Sequence, residues 1–212
     1  MRNIYVCVSE MLGTILENKP TWIHSRDKHE RLPLHYAASI GYLEGVELLL
    51  GKCKCCTIQR DKLGYFPIHL ASYGGHVEVV KKLLEYCPDP TEMLDTSHKR
   101  NILHIASKYG NNELVQYILQ SQIPGLDKMI NQKDNKGDTP LHLAARSSHP
   151  TAVYYLVNQS KERSVKLDLV NQNNETALDV VTALFELDKS SLRQASSSIP
   201  SQTCKFITKF IV

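Results

Sequence analysis

The sequence predicts an all-α solenoid: a curved stack of about five helix-turn-helix repeats with β-turn or hairpin tips. Three observations carry this. A short phrase of turn residues, helix cap, His and Ala recurs along the chain. It recurs at a nearly constant period. An apolar helical face follows each copy at the same offset.

The clearest copy is Asp134-Asn135-Lys136-Gly137-Asp138-Thr139-Pro140-Leu141-His142-Leu143-Ala144-Ala145. Asp134 and Gly137 suit a tight turn, Thr139 a helix N-cap, and Pro140 the first helical position, where no N–H is needed. The earlier copies are Leu32-Pro33-Leu34-His35-Tyr36-Ala37, Phe66-Pro67-Ile68-His69-Leu70-Ala71 and Asn101-Ile102-Leu103-His104-Ile105-Ala106. A fifth, Thr176-Ala177-Leu178-Asp179-Val180-Val181, has Asp in the His position. The steps are 34 (35 to 69), 35 (69 to 104), 38 (104 to 142) and 37 (142 to 179).

Other offsets repeat as well. Eight residues before the His stand Asp27, Asp61, Thr96 and Asp134, with Asn171 before Asp179; each can start a turn. Six after it stand Gly41, Gly75, Gly110 and Ser148, expected to end the first helix in a left-handed conformation. Val46, Val80, Val115 and Val153 follow at eleven. Leu49-Leu50, Leu83-Leu84, Ile118-Leu119 and Leu156-Val157 then complete one face of a second helix. The repeats are therefore expected at residues 27–60, 61–95, 96–133 and 134–170, with a degenerate one at 171–188. Residues 1–26 read as an incomplete N-terminal repeat or cap, because Leu12, Ile15 and Leu16 match a second helix but residues 1–8 match no first one. Residues 51–60, 86–94, 120–133 and 158–170 read as long loops. Residues 189–212, rich in Ser and Gln, read as a disordered tail.

With the phrase Thr-Pro-Leu-His-x-Ala and a period near the family's roughly 33 residues, the chain resembles ankyrin repeats. More narrowly, residues 10–182 resemble the plant accelerated-cell-death-type family. The phrases Leu34-His35-Tyr36-Ala37-Ala38-Ser39-Ile40-Gly41-Tyr42, Gln59-Arg60-Asp61 and Tyr86-Cys87-Pro88-Asp89-Pro90 carry that resemblance. It implies cytosolic repeats followed by a C-terminal membrane domain with a Pro-Gly-Gly motif, and a role in defence or stress signalling. No Pro-Gly-Gly occurs here, and no apolar run reaches the roughly 18 residues of a spanning helix. The reading is a truncated member or a free-standing repeat module. Nothing resembles a signal peptide, so a cytoplasmic location with free thiols is expected, with the cytosolic face of the plasma membrane as a further place of action.

No catalytic constellation stands out, and no enzyme activity, cofactor or small-molecule substrate is expected. His35, His69, His104 and His142 come one per repeat, a spacing that favours a structural role in shaping turns over metal binding. Cys53-Lys54-Cys55-Cys56 could bind a soft metal, form a redox pair or accept an acyl chain. The set lacks a second pair of ligands, although Cys87 or His76 could approach, and inert, exposed thiols in a flexible basic loop are the plainer reading.

In stacked ankyrin repeats, the turn tips and the flank of each first helix form a concave surface. The corresponding positions are Lys28, His29, Arg31, Ser39 and Ile40; Lys62, Leu63, Tyr65, Tyr73 and Gly74; Ser97, His98, Arg100, Lys108 and Tyr109; and Asn135, Lys136, Asp138, Arg146 and Ser147. Lys and Arg dominate them, with Asp138 the one acid and Tyr65, Tyr73 and Tyr109 interleaved. The acids Glu44, Glu47, Glu78, Glu85 and Glu113 lie on the second helices instead. A protein partner with an acidic surface is expected, and contact with anionic lipid is the variant of the same charge argument. A membrane-peripheral signalling protein, held by an acylated cysteine cluster or by the apolar end at residues 206–212, is the competing reading. The net charge of +3 and the lack of a nucleic-acid motif count against DNA or RNA.

Overall fold

Every repeat opens on one device. An Asp or Asn side chain accepts two N–H groups just ahead of it and folds the chain into a tip. Asp27 Oδ1 takes His29 and Arg31, Asp61 Oδ1 takes Leu63 and Tyr65, and Asp134 Oδ1 takes Lys136 and Asp138. Asn171 Oδ1 takes Asn173 and Glu175. The third residue after it turns into the left-handed region at Glu30, Gly64, Gly137 and Asn174. In the third repeat the starter is Asp95, whose carboxylate accepts from His98 and Arg100, and not Thr96 as the spacing implied. That tip holds one extra residue, so its positive-φ position moves to Lys99.

The computed structural model describes residues 2–87, 89–121, 125–158 and 165–192. Among them are eleven α-helices and no strand longer than an isolated bridge between Val170 and Thr176. The fold is the predicted all-α ankyrin solenoid. No helix of the described residues is long and apolar enough to cross a membrane. Two units, Met1–Ala106 and Ser107–Val212, are described separately.

In Met1–Ala106, α1 (Arg2–Asn18) and a 3-10 turn (Pro20–His24) precede the first repeat. α1 runs through residues 2–8, which the repeat pattern left unassigned. α2 (Pro33–Ser39) and α3 (Leu43–Lys52) form the first helix pair; α4 (Pro67–Gly74) and α5 (Val77–Leu84) form the second. α2 packs beside α4, α3 beside α5, and α1 against α3. Ala37, Ala38 and Ala71 let the first helices approach, while Val46, Leu49, Leu50, Val80 and Leu83 fill the layer beneath; all are buried. α6 (Ile102–Tyr109) begins the third repeat.

In Ser107–Val212, α7 (Asn112–Gln120) packs against α10 (Pro150–Asn158), and α9 (Pro140–Arg146) packs against α10 and α11 (Ala177–Leu192). The stretch 120–133, read as loop, contains α8 (Leu126–Asn131). Leu126, Met129 and Ile130 have helical i, i+3, i+4 spacing, and Met129 and Ile130 are buried. α11 continues to Leu192, past the point where the composition suggested a tail. Residues 193–212, including the apolar end at 206–212, lie outside the described residues.

First helices end as expected. Gly41, Gly75, Gly110 and Ser148 all have positive φ. At the tip of the fourth repeat, a Cβ on Gly137 would stand 2.8 Å from the backbone nitrogen of Gln172, with φ at +76°. Gly137→Ala is expected to cost about 2 kcal/mol or more, combining left-handed strain with a backbone collision. Gly51, near the end of α3, has open space at its Cβ, so Gly51→Ala is expected to stabilise by about 0.5 kcal/mol. Urea denaturation of the two variants beside wild type checks both signs.

Candidate protein-binding surface

The tips are held in rows by ties that run from one repeat to the next. Backbone N–H groups of Lys62 and Gln172 donate to the carbonyls of His29 and Lys136. A basic residue just before each turn does similar work. Arg26 donates to the carbonyls of Glu30 and Arg60, Arg60 to those of Gly64 and Leu94, and Lys133 to that of Val170.

The motif histidines His35, His69, His104 and His142 are all buried. His35 and His69 are buried in Met1–Ala106, and each accepts, at Nδ1, the N–H of the residue three before it, Leu32 or Phe66. That fixes the proton on Nε2, which donates to Tyr65 O at 3.2 Å and Met93 O at 2.9 Å. His142 repeats the pattern in the other unit, with Thr139 at Nδ1 and Glu175 O at 3.0 Å from Nε2. His104 Nδ1 accepts from Asn101 N–H. In His35, His69 and His142 both ring nitrogens are committed, which leaves no lone pair for a metal. Burial pushes the His35 imidazole below its usual range and takes His69 down to about 4. Asp179 performs only the local half of the task, accepting from the Thr176 N–H and hydroxyl. The Thr176 hydroxyl holds that carboxyl below the usual range.

A second histidine row escaped the sequence reading. His76 and His149 stand over Gly41 and Gly110 and reach the Ser39 and Lys108 carbonyls at 3.1 Å each. Both follow the motif His by seven residues, the signal that could have revealed them.

Around this frame, the expected partner residues separate into two groups. The position four before the motif His is a strut. Arg31 Nε reaches Asp61 Oδ2 at 3.1 Å, and its guanidinium lies 6.0 Å from the Tyr36 ring centre. Tyr65 is half-buried, edge-on to the His69 ring. Arg100 is 7 % exposed and Asp138 2 %. Asp138 Oδ1 accepts from Asn171 Nδ2 at 3.0 Å and Arg146 Nη2 at 3.1 Å. Arg100 and Asp138 are therefore not surface contacts, because the residue that closes the tip turns its side chain into the stack. Arg146 stays accessible, but its charge already faces Asp138 and Glu175.

The other group is open. Lys28, His29, Lys62, Tyr73, Tyr109 and Lys136 are exposed, and Lys108 is half-buried with its Nζ 5.1 Å from the Tyr109 ring centre. Among the described residues, Lys28, Lys62 and Lys136 make no ion pair. In Met1–Ala106, Ile40, Leu63 and Tyr73 are exposed as well, at 69 %, 59 % and 58 %. Tyr36, which was not singled out, is also exposed and donates its hydroxyl to Asp27; that bond is the main reason the Asp27 carboxyl falls to about 2. The second helices are less purely acidic than expected, since Lys81 and Lys82 pair with Glu78, Glu47 and Glu85.

The cysteine run is not a set of loose, exposed thiols. It forms a 3-10 turn (Lys54–Ile58) in which Cys56 is fully buried and its thiol is pushed up to about 12 by that burial. Neither residue expected nearby is the partner. Cys87 is half-buried with its own thiol pushed up to about 12 by burial, and His76 is bonded to Ser39.

Repeats held together by tip, histidine and helix ties define a protein of the stacked-repeat, partner-binding class. A family model for ankyrin repeats in three copies matches residues 34–132 and 103–185, and the chain belongs to that family. It is 38 % identical over 73 residues to a putative E3 ubiquitin-protein ligase, XBAT31, of Arabidopsis thaliana, covering 31 % of this chain and 16 % of that protein. It is 32 % identical over 95 residues to protein phosphatase 1 regulatory subunit 27 of Mus musculus, covering 44 % of this chain and 56 % of that protein. The chain thus matches about a sixth of one relative and somewhat over half of the other. Ankyrin repeats indicate a protein partner.

Proposed function

We propose that the chain is a non-enzymatic recognition module that binds an acidic protein segment carrying an apolar side chain. The supporting observation is that Ile40 and Tyr73 on first helices, and Lys28, Lys62 and Leu63 on tips, are all exposed. Three large apolar groups are exposed on the tips and first helices, and Lys28 and Lys62 on the same tips make no ion pair among the described residues. Exposed apolar groups ringed by charge mark interaction sites, and tyrosine is a frequent anchor. The lysines would steer an acidic partner, and the apolar group would lengthen its stay. The resemblance to plant accelerated-cell-death-type repeats supports assigning that partner to defence or stress signalling. A ligase and a phosphatase regulatory subunit among the relatives fit a module that lends recognition to other machinery.

Binding is expected to weaken as salt rises. Lys62→Glu with Tyr73→Ala should weaken it at least about tenfold, since an anchor residue contributes more than about 1 kcal/mol. Glu78→Lys, on the opposite helix of the same repeat, should not weaken it. Titration of the partner at two ionic strengths checks this. Equal affinities for wild type and the double variant would rule the surface out.

A further inference from the structure

We propose that His24, Cys53, Cys55 and Cys56 form a four-ligand site for one zinc(II) ion, which ties the turn before the first repeat to the turn that follows α3. This assignment goes beyond the partner-binding reading and does not depend on it.

The four side chains come from two separate segments. His24 ends the 3-10 turn Pro20–His24, and the cysteines lead into and occupy the turn Lys54–Ile58. With three residues per 3-10 turn, Cys53 and Cys56 fall on one side, with Cys55 beside them. Their ligand atoms all lie within 4.8 Å of one another. Cys56 Sγ is 3.6 Å from His24 Nδ1, and the Cys53 and Cys55 sulfurs are 2.6 Å apart. In a tetrahedron with Zn–S of about 2.3 Å and Zn–N of about 2.0–2.1 Å, neighbouring donors stand roughly 3.5–3.8 Å apart. The Cys56–His24 pair already has that separation. The Cys53–Cys55 pair reaches it by opening about 1 Å, which small side-chain rotations supply. Both of those residues have room to move, Cys55 being exposed and Cys53 half-buried.

The donor chemistry selects the ion. Three sulfurs and one imidazole match the Cys3His set of closed, structural zinc sites, with no position left for a reacting water. Hard cations such as magnesium or calcium prefer oxygen donors. On binding, three S–H groups each lose a proton to solvent and the divalent ion takes their place. The site then carries a net charge of −1. Lys52 and Lys54 flank the ligands and oppose that charge. The sequence alone showed three ligands and no fourth, because His24 lies 29 residues before Cys53 and only the packing of the two turns brings it close.

The test uses the full chain, reduced and stripped of metal, titrated with cobalt(II) as the probe and then with zinc(II). The expected result is one cobalt per chain, with the intense visible bands of tetrahedral cobalt and thiolate charge-transfer absorption, both bleached by one equivalent of zinc. His24→Ala and Cys55→Ser alter exposed ligands and should leave the fold intact. Each should weaken binding at least tenfold and abolish the rise in melting temperature that zinc gives wild type. Cys87→Ser, outside the cluster, should behave as wild type. Absence of tetrahedral bands in wild type, or wild-type titrations for both His24→Ala and Cys55→Ser, would overturn the assignment. So would recovery of the protein, purified without reductant, with Cys53 and Cys55 joined as a disulfide.

Discussion

His69→Ala is expected to lower the unfolding free energy of the Met1–Ala106 unit by about 3–4 kcal/mol, an effect large for one residue of a repeat array. His69 is 1 % exposed and bonds on both sides, to the Phe66 N–H and the Met93 carbonyl. Alanine leaves both groups buried without a partner, at about 1–3 kcal/mol each. It also removes ring packing against Tyr65 and Phe66, whose centroids lie 6.0 and 5.4 Å away. Asp179→Ala removes only a local cap at an exposed position and is expected to cost much less than His69→Ala. Denaturant titration of the two variants against wild type measures the contrast. Equal, small losses would mean that the histidine row is not what joins the repeats.

Acid should act through the same side chain. The His69 pKa falls from 6.5 to about 4 on folding, because burial disfavours the imidazolium. Between those values the unfolded chain binds a proton that the folded chain does not. The contribution of the neutral ring is therefore complete above about pH 6.5 and is lost as the pH falls toward 4. A shift of this size corresponds to something on the order of 3 kcal/mol. His35 is shifted in the same direction and for the same first cause, so it adds to the loss. Stability measured from pH 7.5 to 4 should fall steeply below about 6.5. His69→Gln, less stable at pH 7, should show a shallower fall. A wild-type curve flat down to pH 4.5 would contradict the burial of neutral histidine.

The repeated positions were legible because each answers a local demand. A turn needs Asp or Asn, a left-handed helix end needs Gly, and a second helix buries Val-x-x-Leu-Leu. The departures come from what period counting cannot register. The extra residue between Asp95 and Arg100 moved the turn starter one position from Thr96. Arg100 and Asp138 have the polarity of surface residues, yet the position that closes a tip leans into the neighbouring structure. Arg26, Arg60 and Lys133 lace carbonyls together, a role that their charge alone does not announce. His24 could not be linked to the cysteines because nothing in a linear chain announces that two 3-10 turns will meet.

Side-chain footprinting with hydroxyl radicals, on the chain alone and in complex with its partner, tests the binding surface most directly. Ile40, Leu63 and Tyr73 lie on tips and first helices, while Tyr154 on α10 and Met11 on α1 are also exposed but belong to neither a tip nor a first helix. Binding at the proposed face predicts that labelling of Ile40, Leu63 and Tyr73 falls severalfold in the complex while Tyr154 and Met11 label as before. Protection of Tyr154 or Met11, with Tyr73 and Leu63 still fully labelled, would contradict it.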